Sequence, residues 1–516
     1  MRTLPGKSAY LVAAQVGVIA AVLISGGVWW SLSDHPEETS LPVEPRRRSV
    51  RAEPRIAYVG RRTCAECHPS QHETYLKTTH SRALDDVDPS AEPPDVEFVH
   101  EPSQRAYRVY RRDGELRHEE RLAGDDGEGL RLADHPVKYV IGSGNHSRSY
   151  LVEADGFLVE SPITWYARKD AWGMSPGYDR PQHAGFERPT DAGCLVCHVG
   201  RLENIGGSFH RIRIHEQAIG CENCHGPGAQ HVALHRGGSE SAATASQQFI
   251  VHPSRLSRDR TEAICAQCHL RGQATVYHAG YGVHSFQPGQ LLAEVRTDYH
   301  LRESDGSMTV TGHVEQMRMS RCWQASDSLT CTTCHDPHSE PEPEERLAYF
   351  RQTCLECHAQ DACGLHEAER LLQQPLDNCV ACHMPQSPTD IPHFAFTHHR
   401  IGIHESREST QNGPSIGTLV PLSDVDGLSP AARQRGLGLA YLELSDHHAG
   451  SQEAFNEYRR RAGTLLESTL DRTPDDGQVL AALARLYWDR DPGRAIELAT
   501  ASLRTRELLP GARVNA

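Results

Sequence analysis

The sequence predicts a mainly α-helical protein with little regular structure in its central region, a small β insertion there, and α-helical repeats at its C-terminal end. Three observations predict this. A five-residue phrase, Cys-x-x-Cys-His, recurs seven times between residues 64 and 383, mostly at intervals too short for independent hydrophobic cores. Strand-like alternation is confined to about residues 95–165. From about Pro430 the apolar residues fall at helical spacing.

The repeated phrase decides the chemistry. It reads Cys64-Ala-Glu-Cys67-His68, Cys194-Leu-Val-Cys197-His198, Cys221-Glu-Asn-Cys224-His225 and Cys265-Ala-Gln-Cys268-His269. Three more follow: Cys331-Thr-Thr-Cys334-His335, Cys354-Leu-Glu-Cys357-His358 and Cys379-Val-Ala-Cys382-His383. Two thiols separated by two residues match the two vinyl groups of one porphyrin, and the adjoining histidine is placed to ligate its iron. This is the attachment signature of c-type haem. Zinc ribbons and redox Cys-x-x-Cys pairs require no histidine after the second cysteine. With 32 histidines in 516 residues, seven such histidines do not arise by chance. The motifs therefore predict seven covalently attached haems c, with those seven histidines as proximal ligands.

Composition agrees. The hydrophobic fraction, 38%, and the aromatic fraction, 6%, are low for a chain of this length, which porphyrins offset by supplying apolar surface of their own. The net charge of −15 gives no basis for nucleic-acid binding. Arginine greatly outnumbers lysine and suits bidentate pairing with haem propionates. An acidic surface steers basic redox partners or is simply a solvated face.

Taken in order, Arg2 and Lys7 precede an apolar run from Ala9 to Trp30. At about 22 residues it is long enough to span a bilayer, with Trp29 and Trp30 at the interface. A cleaved signal peptide is the competing reading, but no convincing small-x-small cleavage site precedes Ser31, and an uncleaved anchor within residues 1–32 is favoured. Either way the remainder is exported, to the periplasmic side of a bacterial inner membrane. Residues 33–57, rich in Pro, Glu and Arg, read as a linker. Residues 58–408 hold the haem motifs, and the two spare cysteines, Cys322 and Cys363, either form a disulfide or stay separate thiols.

Between the first two motifs, Ala106–Arg111, Val137–Ile141, Arg148–Val152 and Phe157–Glu160 alternate like strands, separated by Asp113-Gly114, Gly142-Ser-Gly144 and Asp155-Gly156 turns. Trp165, Trp172 and the Gly/Pro-rich stretch to Pro189 read as a loop over a haem or a sheet edge. The later motifs stand about 27, 44, 66, 23 and 25 residues apart, so these segments must fold around porphyrins held close together. In residues 430–516 two helical units end near Pro474 and Pro510. One carries Leu437, Ala440, Ala454, Leu466 and Leu470; the other carries Leu480, Leu483, Ala495, Leu498 and Leu503. The period of about 36 residues reads as tetratricopeptide-like repeats, a surface for docking a partner protein.

Whether the second face of each iron is closed separates a carrier from a catalyst. Candidate distal ligands, in loops near the motifs, are His80, His231, His313, His338, His393 and His399.

Several phrases carry a family resemblance. Cys221-Glu-Asn-Cys-His-Gly-Pro-Gly-Ala-Gln-His231, Cys331-Thr-Thr-Cys-His-Asp-Pro-His338, Cys379-Val-Ala-Cys-His-Met-Pro385 and His393-x5-His399-Arg-Ile resemble multihaem cytochromes related to hydroxylamine oxidoreductase and to its tetrahaem electron acceptor. Membrane-tethered members with C-terminal tetratricopeptide repeats are the nearest in type. The resemblance implies mostly helical haem packing and His/His ligation, with His231 and His338 foremost. No Cys-x-x-Cys-Lys site and no tyrosine placed for a haem cross-link is present. The expected function is electron transfer along close-packed haems to redox partner proteins. The alternative is a multihaem oxidoreductase acting on a small nitrogen or sulfur compound at one open haem.

Overall fold

The computed structural model describes residues 57–505, apart from 124–128, 206–207, 209, 238–248, 271, 303–311, 360–362, 375, 387–396, 405–415 and 448–450. The apolar segment Ala9–Trp30, the linker up to residue 56 and His393 lie outside the described residues. Among those described, no helix is long and apolar enough to cross a membrane.

The expectation of a mainly α fold with little regular structure is corrected: 39% of the described residues are helical and 22% lie in strands. The sheet that follows the first motif is far larger than a small insertion. Nine strands belong to it: β1 (Leu84–Asp86), β2 (Val96–His100), β3 (Arg105–Arg112), β4 (Glu115–Leu122), β5 (Leu130–Ile141), β6 (Ser147–Ala154), β7 (Phe157–Glu160), β8 (Ile163–Tyr166) and β9 (Ala171–Met174). All pairings are antiparallel, in the order β2-β3-β4-β5-β6-β8-β9, with β1 on β5 and β7 on β6. The sheet curls until it nearly closes: Trp172 on β9 donates from Nε1 to the carbonyl of Pro94, just ahead of β2, at 2.9 Å. Tyr107, Val109, Leu116, Val137, Tyr150, Val152, Val159, Ile163 and Phe186 fill its interior.

Two elements were hidden by their chemistry. Strand β4 reads Glu-Leu-Arg-His-Glu-Glu-Arg-Leu, too polar to suggest a buried strand. Its carboxylates Glu119 and Glu120 are buried with partners. Glu120, 2% exposed, binds Arg105 and accepts the Tyr107 hydroxyl at 3.0 Å. The ring of His118 meets Ser161 Oγ at 2.8 Å, and Glu119 pairs with Arg121 and Arg131. A buried charge is tolerated only with such partners. The expected loop at Trp165 and Trp172 is instead the β8–β9 hairpin, in which those two residues are cross-strand partners; their rings meet edge-on at 5.5 Å.

The outer face of this sheet carries a haem motif. Leu84, Leu151 and Leu158 pack against Ala192 and Leu195 of the second motif's helix and against Val199, Leu202 and Ile212 of the hairpin β10 (Val199–Asn204) and β11 (Ile212–Gln217).

The C-terminal helices form two hairpins, Pro430–His447 with Gln452–Leu470, and Gly477–Tyr487 with Pro492–Arg504. Their apolar stripe does not stand free. It shares one core with a three-stranded sheet, β12 (Ala274–Tyr277), β13 (Arg296–Arg302) and β14 (Thr418–Pro421), through Val276, Tyr299, Leu301 and Leu419. Leu503, read as part of that stripe, is 55% exposed instead. In turn, β13 grips the fourth motif: the buried Arg296 donates to the carbonyls of Gln267 at 3.1 Å and Ala266 at 3.4 Å.

Candidate haem-binding sites

The motifs are helical turns, except that the second leaves its helix at Leu195 and places Cys197 and His198 in the turn that follows. In an α-helix, positions i, i+3 and i+4 share a face, so Cys-x-x-Cys-His presents both thiols and the imidazole to one side. Backbone bonds close that turn: His68 N–H donates to Cys64 O at 2.9 Å, and His225, His335 and His358 donate to the first cysteine of their own motifs at 3.0 Å. Local caps start it. The Asp191 carboxylate accepts from Cys194 N at 2.9 Å, and Asn378 Oδ1 accepts from Ala381 N at 3.2 Å. After the third motif the chain leaves the helix at Gly226, with φ 78° and ψ 178°, a conformation open essentially to glycine alone.

All seven motifs open into a single cavity of about 4670 Å³, lined by both cysteines and the histidine of every one. The fit to haem is visible in the imidazoles. Nδ1 of His198, His225 and His383 points at the backbone carbonyls of Ala83 (3.2 Å), Val251 (2.8 Å) and Gly402 (3.1 Å). A carbonyl can only accept, so Nδ1 carries the proton and Nε2 keeps a lone pair for iron. Burial also keeps rings neutral: it lowers His269 to about 4 and His313 to about 3.

The candidate distal histidines converge on the same cavity. His231 stands 6.4 Å from His68 between ring centroids, and His338 stands 5.9 Å from His225. His399 is 6.3 Å from His335, its own Nδ1 donating to Thr397 O at 2.8 Å, and His80 is 5.9 Å from His269. His313 sits closer, 5.1 Å from His269 and 4.6 Å from His399. His235 went unnoticed in the sequence; one turn after His231, it meets that ring at 4.6 Å and lines the cavity. Its i+4 spacing from His231 was the available signal. The carbonyls of Ala83, Val251 and Gly402 left none.

The motifs are tied to one another in a definite order. Glu222, inside the third motif, accepts from the backbone N–H of Val59 (3.0 Å) and Gly60 (2.8 Å) at the start of the first motif's helix, and the Cys64 thiol meets that of Cys221. Gln267 of the fourth motif donates to Asn223 O of the third at 3.1 Å. The Cys268 thiol meets Cys197 of the second motif, and Cys331 of the fifth meets Cys265 of the fourth. Cys334 neighbours Cys357, and Cys354 of the sixth motif meets Cys379 of the seventh. The row therefore runs first, third, fourth, fifth, sixth, seventh, with the second motif as a branch beside the fourth and the third also facing the fifth through His225 and His338. Cys322 lies near Cys334 while Cys363 bonds Arg370, so the two spare cysteines stand as separate thiols.

Comparison with known families matches the doubled CXXCH motif over residues 325–363, and cytochrome c554 and c-prime over residues 63–106 and 178–226. The protein is a multihaem c-type cytochrome. The two cytochrome c554 segments flank residues 107–177, which hold most of the large sheet, so the cytochrome carries that sheet between its first two motifs. No curated protein and no solved structure matches the chain.

Proposed function

We propose that this cytochrome is a heptahaem electron conduit, exported and held at the outer face of a bacterial inner membrane by its N-terminal apolar segment. The observation that carries the reading is the single cavity shared by all seven motifs, with hydrogen bonds tying the first motif to the third and the third to the fourth. Divided by seven, 4670 Å³ leaves roughly 670 Å³ per motif, inside the range of about 300–1,000 Å³ for a ligand pocket. Bound haem supplies a one-electron iron couple; the chain holds each porphyrin by two thioethers and one imidazole, orients that imidazole through a backbone carbonyl, and keeps water out with the surrounding core.

Distal closure is part of the proposal. Two imidazoles ligating one iron at about 2 Å each hold their centroids about 6 Å apart. The pairs His68–His231, His225–His338, His335–His399 and His269–His80 meet that spacing at 5.9–6.4 Å. His313, at 4.6–5.1 Å from its neighbours, fits as a ring packed beside two such pairs. The C-terminal hairpins, read as tetratricopeptide-like, clamp the fourth motif through β12–β14.

A pyridine haemochrome assay on the purified protein tests the count: seven haems per chain are expected, and six or fewer overturn it. Low-temperature EPR tests closure. His338→Ala is expected to turn one low-spin haem high-spin with haem content unchanged, and an unaltered spectrum would remove His338 from the ligand set.

A further inference from the structure

The sixth and seventh motifs end the row beside an exposed apolar patch. The helix Glu367–Gln373 leaves Leu372 85% exposed, with Leu371 beside it at 38% and Leu376, one turn on, at 72%. None of these three lines the haem cavity, so porphyrins do not cover them. The patch is rigidly joined to the row. Asp377 takes Arg351 at 2.7 Å and Arg370, bridging the helix of the sixth motif, the Glu367–Gln373 helix and the turn into Cys379. Those two guanidiniums, Arg370 foremost, hold the Asp377 carboxyl below its usual range.

The segments that carry and flank these leucines are acidic. Glu367 and Glu369 share their helix, Glu356 lies inside the sixth motif, and Glu342, Glu344 and Glu345 precede that motif's helix; all six are exposed. No described cation forms an ion pair with any of them, while Arg351 and Arg370 are committed to Asp377. Exposed apolar centres ringed by charge mark protein contact sites, and a ring of one sign steers a partner of the other.

We propose that this face docks a lysine-rich electron-transfer protein, whose apolar centre covers Leu372 and Leu376 and whose cationic rim meets the six carboxylates. Electrons cross there between the partner and the haems of the sixth and seventh motifs. The proposal rests on the conduit reading above.

Stopped-flow oxidation of the fully reduced holoprotein tests it, with a lysine-rich monohaem cytochrome c as one probe and an acidic monohaem cytochrome as the other. The lysine-rich probe is expected to react about tenfold or more faster at low salt, and that advantage is expected to vanish as ionic strength rises. Glu367→Lys with Glu369→Lys is expected to flatten the salt dependence, and Leu372→Asn with Leu376→Asn to slow the reaction about tenfold. Haem content and spectra stay unchanged in both. Glu73→Lys, beside the first motif, is expected to leave the rate alone. Equal rates with the two probes, leucine variants as fast as the parent, or a Glu73→Lys variant as slow as the others would overturn the docking site. So would a wild-type dimer that Leu372→Asn dissociates, since the patch would then serve a second copy. A protein that lacks its haems, or whose haems exchange no electrons, fails the conduit reading instead.

Discussion

Replacing Cys265 and Cys268 by serine is expected to lower the haem count by one and to slow electron passage between the first and seventh motifs. The fourth motif is the junction. Its Gln267 reaches the third motif at 3.1 Å, its Cys268 meets the second and its Cys265 meets the fifth. Losing that centre leaves the third and fifth motifs meeting only through His225 and His338, 5.9 Å apart between rings, so passage slows because tunnelling decays exponentially with distance. The matching change at Cys194 and Cys197 is also expected to cost one haem, yet to leave end-to-end transfer close to the parent rate, because the second motif is a branch. Photoreduction at one end with optical detection along the row distinguishes the two. Equal losses in both variants would show that the second motif lies on the main path.

Tyr458→Ala is expected to destabilise the protein by about 3–5 kcal/mol, the usual cost of emptying a fully buried aromatic site. Tyr458 is 0% exposed, lies 5.9 Å from Tyr441 ring to ring, and its hydroxyl accepts from Gly417 N at 3.2 Å. That bond anchors the chain entering β14, which pairs with β13, which holds the fourth motif through Arg296. The loss should therefore reach the haems. In denaturant, the far-ultraviolet signal of the helices and the Soret band are expected to shift to lower midpoint together. Helices that melt first, with the Soret band unmoved, would show that the C-terminal core is not shared with the haem region.

The cofactor chemistry was legible in the chain alone. The Cys-x-x-Cys-His phrases mark covalent c-type haem because its attachment is local: two thiols and an imidazole within five positions. Strands β3, β5, β6 and β7 showed themselves by alternation, and the C-terminal helices by their period. What the pattern could not disclose was anything settled by partners far away in sequence. Strand β4 hides its identity behind Glu119, Glu120 and His118, polar residues that become core only once Arg105, Arg131 and Ser161 arrive to match them. The near-closure of the sheet depends on Trp172 reaching Pro94.

The same division governs the haem sites. Sequence determined where c-type haem attaches, since each attachment phrase falls within five positions. Tertiary structure alone decided which motifs are neighbours, which histidine faces which, and that the second motif stands off the row. Those relations join residues as distant as Cys64 and Cys221 or Thr79 and Glu340, whose encounter follows from packing and long-range hydrogen bonds rather than from any local period.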